Sequence, residues 1–258
     1  MNGAPSGDVL ALCYHGVSPS WPEPTAVTPA TLHDQVARLL ARGWKPATFT
    51  EAVTAQAPGR TLAVTFDDAL SSVIRQGWGV LQELGVPATV FAPTAFVESG
   101  KPFAWPGLDR WLGTEHEGEL EGMTWDELAQ LRDAGWEIGS HSASHPRLTE
   151  LDDAALEAEL RGSKRTIEAR LGASRSLAYP YSDVDDRVAA MARTAGYEAG
   201  AAVLPVRHRG DPMRFPRVPM LATESRLQQR LHVSRPMRRL QATRPWPAVQ
   251  WVARALSD

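Results

Sequence analysis

The sequence predicts an α/β fold, a distorted (β/α) barrel of about seven parallel strands, and three observations predict it. Strand-like and helix-like runs alternate along the chain, as parallel strands joined by crossover helices do. His15, Asp67 with Asp68, His141 with His145, and Tyr181 follow the C-terminal ends of four different strand-like runs, and in a parallel barrel those ends share the face where active sites sit. The strand-like runs number about seven, which suggests a barrel that is incomplete or irregular.

In chain order, Val9 to Tyr14 reads as a buried strand that delivers His15-Gly16. Thr28 caps a helix with Pro29 in its first position, an apolar stripe of Leu32, Val36, Leu39 and Leu40, and Gly43 at its end. Ala47 to Phe49 is a short strand, Thr50 caps a short helix through Ala57, and Thr61 to Phe66 is a strand. A helix from about Ser71 to Leu84 contains Gly77-Trp78-Gly79, which lacks the third glycine of a nucleotide loop and lies inside a helix. Ala88 to Ala92 is a strand, and Pro93 to Gly122 a long loop of the kind that carries function or short helices. Thr124-Trp125-Asp126-Glu127 is a capping box for a helix ending at Gly135, followed by a strand from Trp136 to Gly139. Asp152 opens a long helix to Gly172, Leu177 to Tyr179 is a strand, and a helix from about Val184 to Ala195 precedes strands near Ala199 to Val203 and Phe215 to Met220. The expected organisation is a flexible segment 1-8, a catalytic barrel 9-234 and an Arg-rich helical tail 235-258. That tail packs through Val249, Val252 and Leu256, with a weak contact to an anionic surface as its alternative use.

Composition is that of an ordinary globular protein: 258 residues, 43% hydrophobic, 22% charged, net charge -3, with nothing that points to nucleic acid. The single cysteine, Cys13, lies in an apolar run and reads as a small core residue. No signal segment and no run near the ~20 apolar residues of a spanning helix is visible, so the expectation is a cytoplasmic protein without a transmembrane segment.

The chemistry concentrates in two stretches. Asp67 and Asp68 are adjacent like charges that need a positive partner, and His141 and His145 stand four residues apart in a Ser-rich turn. One carboxylate and two imidazoles suit a borderline divalent cation, with the second carboxylate left over.

Thr65-Phe66-Asp67-Asp68, His141-Ser142-Ala143-Ser144-His145 and Ala178-Tyr179-Pro180-Tyr181, in this order, resemble the first three motifs of the polysaccharide deacetylases, the NodB-homology carbohydrate esterases. Tyr14-His15-Gly16-Val17 and Arg217-Val218-Pro219 resemble a subgroup of that family, and the resemblance covers roughly residues 9 to 221. It implies removal of an acetyl group from an N-acetylated sugar or glycan. It also implies Asp68, His141 and His145 as ligands of a divalent metal, usually zinc, with Asp67 as general base and the Tyr181 backbone N–H as an oxyanion donor.

Four departures stand out. Ala69 and Ser182 replace glycines, at a cost of roughly 1–2 kcal/mol wherever φ is positive. Ala178 stands where many relatives have an arginine that orients the base, and Arg217 is expected to serve instead. Leu231-His232 lies outside the usual frame for the late histidine, which leaves His15 and His208 as candidate general acids. Trp21, Trp105 and Trp111 are candidate sugar-stacking rings against the commoner role of packing, while His33 and His116 read as surface residues. Two other readings are a catalytically inactive carbohydrate-binding barrel and a metal-dependent hydrolase of a non-sugar cyclic amide or imide.

Overall fold

The computed structural model describes residues 7–55, 58–203 and 210–241. Its strands and helices are β1 (Asp8–Tyr14), α1 (Pro29–Leu40), β2 (Lys45–Ala47), α2 (Phe49–Thr54), β3 (Arg60–Phe66), α3 (Trp78–Glu83), β4 (Ala88–Ala92) and α4 (Trp125–Asp133). Then come β5 (Glu137–Ser140), α5 (Asp153–Leu171), β6 (Ser176–Ala178), α6 (Asp186–Thr194), β7 (Ala199–Val203), β8 (Phe215–Pro219), α7 (Arg226–His232) and α8 (Arg235–Gln241).

Seven strands close a parallel barrel in the order β1-β8-β7-β6-β5-β4-β3, with β3 returning to β1 over the full length of both strands. The short β2 pairs with residues 61–63 of β3, whereas β4 takes Val64 to Phe66 on the same edge. β2 is therefore an eighth strand outside the ring. The ring is thinnest between β5 and β6, which pair only at Ser140 and Leu177.

Alternation along each strand sends one set of side chains to the helices and the other into the barrel. Leu10, Leu12, Leu62 and Val64 pack outward with Leu32, Val36 and Leu39 of α1. The inward set is small, with Ala11, Ala63, Ala178, Ala199 and Ala201 around the rings of Phe49 and Phe91. At 25 cal/mol/Å², a fully buried Leu or Phe side chain contributes roughly 1.5–3 kcal/mol, so the outer layer carries most of the packing energy. The interior, by contrast, keeps room for polar groups. Gly139 is required here, because a Cβ would stand 2.6 Å from the Phe91 ring.

Local details differ from expectation in two places, and the long loop carries the short helical turns expected of it. Phe49 is the first residue of α2 rather than the end of a strand, and Thr48 rather than Thr50 caps it, its N–H donating to Glu51. Thr50 is taken instead by Glu137 at the bottom of the barrel. A π turn, Val73–Gly77, precedes α3, and Gly77 sits against Val17, whose Cγ2 would be 3.1 Å from an added Cβ. The long loop 93–122 carries two 3₁₀ turns, Asp109–Trp111 and Glu117–Leu120, and buries its own aromatic cluster with Trp21 and Leu70.

α8 is held to the start of β1 by Arg238, which donates to the Val9 carbonyl and to Asp8. Val249, Val252 and Leu256 lie outside the described residues. Among the described residues no helix is long and apolar enough to cross a membrane.

Glu137 closes the barrel bottom, accepting from the Thr50 N–H and from the hydroxyls of Thr50, Thr89 and Ser176. Glu137→Ala strands these buried donors and is expected to cost about 2–4 kcal/mol in urea denaturation, with Glu137→Gln recovering part of the loss.

Candidate active site

The strand ends bring the polar residues together. β3 ends at Phe66, and the Asp67 N–H extends the ladder by donating to the Tyr14 carbonyl at 3.0 Å. Asp68 and Ala69 then take left-handed conformations, φ 69° and 52°, which turn the chain sharply at the barrel mouth. A second left-handed pair, Tyr181 and Ser182 at φ 56° and 57°, follows β6. Both positions where glycine is replaced therefore have positive φ, at a cost of about 1–2 kcal/mol each. Ser182 offsets part of this by accepting from the Val203 N–H at 2.8 Å.

His141 and His145 come from the loop after β5. The His141 N–H donates to the Ala92 carbonyl, and Nδ1 donates to the Ala178 carbonyl at 2.8 Å, which leaves Nε2 as a lone-pair donor. The loop then turns through two more left-handed residues, Ser142 at φ 60° and His145 at φ 61°. Glu159 of α5 holds that turn, accepting from the N–H groups of Ala143 and Ser144 and from the Ser144 hydroxyl. Trp105 stacks on the His145 ring at 4.1 Å and 15°, and Tyr181 meets it edge-on at 4.7 Å.

Asp68 faces both imidazoles. Its Oδ1 is 3.5 Å from His141 Nε2 and 3.7 Å from His145 Nε2. Burial lowers the His141 pKa to about 4 and the His145 pKa to about 2, so both rings are neutral near pH 7 and these contacts are not ion pairs. Burial, and then the charge of Asp67, push the Asp68 carboxyl well above its usual range. Asp68 Oδ1 and His145 Nδ1 are buried with no hydrogen-bond partner among the described residues. The three residues offer donor atoms within 4.8 Å of one another. An oxygen and two nitrogens that converge with no hydrogen bond between them fit a cation, and this donor set is one that zinc accepts.

Asp67 is in the opposite state. Arg217 of β8, wholly buried, grips it with both Nη atoms, at 2.6 Å to Oδ1 and 2.8 Å to Oδ2, and also donates to Thr65 Oγ1 at 2.9 Å. Burial alone would raise the Asp67 pKa, but the guanidinium, with a smaller contribution from His141, outweighs it and holds the carboxyl well below the usual range. The Cys13 thiol also approaches Asp67 Oδ2, at 3.4 Å. The half-buried His15 brings a ring nitrogen within 4.8 Å of the Asp67 carboxylate, and its pKa is lowered by burial.

His15, Asp67, Asp68, His141, His145 and Tyr181 line a cavity of about 440 Å³ that opens at the C-terminal ends of the strands. Trp105 forms one wall, while Trp21 is buried in the loop cluster and Trp111 donates its indole N–H to Glu23. His33 and His116 are half-buried away from the cavity, and His208 lies outside the described residues. Sequence reasoning missed Glu23, a buried carboxylate at the rim paired with Arg110, and Glu159 behind the histidine turn. Neither carries a local signal, because each acts through a partner far away in the chain. The Cys13 contact did have one: two residues before His15 on a strand, it shares that residue's face.

The chain spans a geometry found in other proteins. The family model for polysaccharide deacetylases matches residues 54–200. No curated protein sequence matches the chain. Among solved structures, a polysaccharide deacetylase from Bacillus cereus superposes with a TM-score of 0.72 at 22% identity, over 88% of this chain and 69% of that one. The deacetylase PplD of Streptococcus pyogenes, in complex with acetate, gives 0.70 at 18% identity over 92% and 98%. IcaB from Ammonifex degensii gives 0.67 at 22% identity over 91% and 97%. These similarities are of fold, whereas the family match spans more than half of the sequence and includes the Asp67-Asp68 pair and both histidines: the chain belongs to the polysaccharide deacetylase family.

Proposed function

We propose that the chain is a divalent-cation-dependent hydrolase that removes N-acetyl groups from an N-acetylated sugar or polysaccharide. One observation carries this reading: Asp68, His141 and His145 converge with unshared lone pairs beside a carboxylate, Asp67, that is kept ionised. Asp68 and the two histidines would hold the cation, most simply zinc. Bound there, it supplies a water of lowered pKa and polarises the acyl carbonyl.

The remaining steps belong to the protein. Asp67 accepts the proton of the attacking water, and the two-pronged grip of Arg217 keeps its oxygens aimed while preventing premature protonation. The backbone N–H of Tyr181, set by its left-handed turn, is the donor assigned to the developing oxyanion, a contribution of roughly 3–4 kcal/mol. The proton taken by Asp67 must reach the departing nitrogen. His15, neutral and at the same cavity, is the group assigned to pass it on. The Trp105 wall suits the apolar face of a pyranose.

The test is acetate release from N-acetylglucosamine oligomers and glycosides by zinc-loaded protein. Asp67→Asn is expected to lower the rate by about 10²–10⁴, and chelation is expected to abolish it reversibly. A protein that holds stoichiometric zinc yet releases no acetate from any member of the panel would overturn the assignment, and release from cyclic imides alone would move the substrate out of the sugars.

Two further outcomes follow from the supporting residues. Glu159→Ala removes the acceptor for two backbone N–H groups of the histidine turn and is expected to weaken zinc binding by about 10–100-fold in chelator competition, with Glu159→Gln intermediate. Arg217→Met leaves a buried carboxylate alone and is expected to cost about 3–5 kcal/mol at pH 7. The pKa of Asp67 is depressed in the folded wild type, so its stabilisation is full above the unfolded value of about 3.9 and fades as pH falls through the folded value. In the variant the carboxyl is instead raised by burial, and the gap from wild type in urea denaturation should narrow between pH 7 and pH 5.

A further inference from the structure

Outside the active site, one face of the barrel stands apart in charge and polarity. Residues 225–257 hold seven arginines and no acid, although the whole chain is net negative at -3. The described part of this stretch, α7 and α8, lies along α1. Arg38, Arg42, Arg226 and Arg230 rim a groove of about 340 Å³ with Leu39 and Met220 among its apolar lining. A single carboxylate, Asp34, serves both Arg38 and Arg226. Arg42 and Arg230 have no carboxylate partner among the described residues, so the groove keeps excess positive charge. A second groove continues past Arg42 and Arg230 to Arg60 and Arg235.

Two leucines stand out from this basic face. Leu227 and Leu231 are 67% and 47% exposed and, at i and i+4, lie on the same side of α7. A helix that met only water, or only a polyphosphate strand, would gain nothing from them. An acidic lipid surface takes both features at once, since arginines meet headgroup phosphates while leucines enter the boundary of the acyl chains. The groove shares no lining residue with the active-site cavity, so occupying it leaves the cavity open.

We propose that the face formed by α1, α7 and α8 docks on a membrane surface containing acidic phospholipids, with the arginine groove as the headgroup site and Leu227 and Leu231 as the inserted side chains. The chain lies on the bilayer and does not cross it.

The test is co-sedimentation of the full chain with vesicles of phosphatidylcholine alone or mixed with phosphatidylglycerol, at low and raised salt. The protein is expected to pellet with the mixed vesicles only, and less at raised salt. Arg42→Gln with Arg230→Gln should lower the partition coefficient about tenfold or more, and Leu227→Gln with Leu231→Gln by a similar factor. Both pairs are on the surface, so circular dichroism and thermal midpoint should match wild type, and acetate release from a soluble substrate should be unchanged. Wild-type protein that stays in the supernatant with the mixed vesicles overturns the proposal. So does equal binding to neutral vesicles. If the leucine pair binds vesicles as wild type does while a single-stranded oligonucleotide competes, the face is a general polyanion site and the lipid assignment falls.

Discussion

The contact between Asp67 and Arg217 sets the terms for the rest of the site. It joins β3 to β8 across the barrel mouth, 150 residues apart in sequence, with both side chains out of water. A buried pair of this kind adds little net stability, because removing both charges from water costs about as much as their attraction returns. Its effect is on charge. Arg217 holds Asp67 as an anion; burial first, and then that neighbouring charge, make a second anion at Asp68 unfavourable unless a cation arrives, and the raised pKa of Asp68 expresses that demand. Neutral histidines with convergent lone pairs complete the request.

The backbone tells the same story in another currency. Among the described residues seven non-glycine positions have positive φ, and six of them, Asp68, Ala69, Ser142, His145, Tyr181 and Ser182, lie in the three loops that bound the site; Glu98 is the seventh. Strain of about 1–3 kcal/mol per residue persists only where the surroundings over-determine the conformation. Here they do. The Ser142 hydroxyl oxygen accepts from the His145 N–H, Glu159 clamps the next two N–H groups, Ser182 bonds to β7, and Ala69 is sealed in the outer core. A looser scaffold would let these turns relax to φ below zero and move the side chains apart.

Much of this was legible in the sequence, and the limits are physical. Strands β1 and β3 are largely apolar runs that end at His15 and Asp67, β4 is one that ends at Pro93, and α1, α4 and α5 carry caps at both ends, so composition and punctuation place them. Thr48 and Thr50 are both adequate caps in isolation. What selects Thr48 is Glu137, which takes Thr50 from a strand 87 residues away. The glycine in the π turn before α3 likewise answers to a distant segment, since Val17 leaves little room for a Cβ at residue 77. At the site, residues at strand ends could be grouped because topology brings strand ends together. Glu159 could not, since it sits in the middle of a helix whose exposed face offers several equivalent carboxylates until the fold brings one beneath the histidine turn.

The departures from the family pattern are linked by volume. The family resemblance implies an arginine at the position of Ala178, and here that side chain is a methyl group in the interior cluster with Ala11, Ala201 and Phe91. The guanidinium of Arg217 lies over the Phe91 ring at 5.2 Å, inside the same barrel layer. An alanine-lined interior is what lets a long side chain from β8 reach past β1 to the end of β3 without displacing a strand. The exchange leaves the rest of the site undisturbed, because what His141 takes from residue 178 is its backbone carbonyl, present whatever the side chain. A positive charge beside Asp67 can therefore move from one strand to another while Asp67, Asp68 and the two histidines keep their places, provided that the vacated position shrinks as the new one grows.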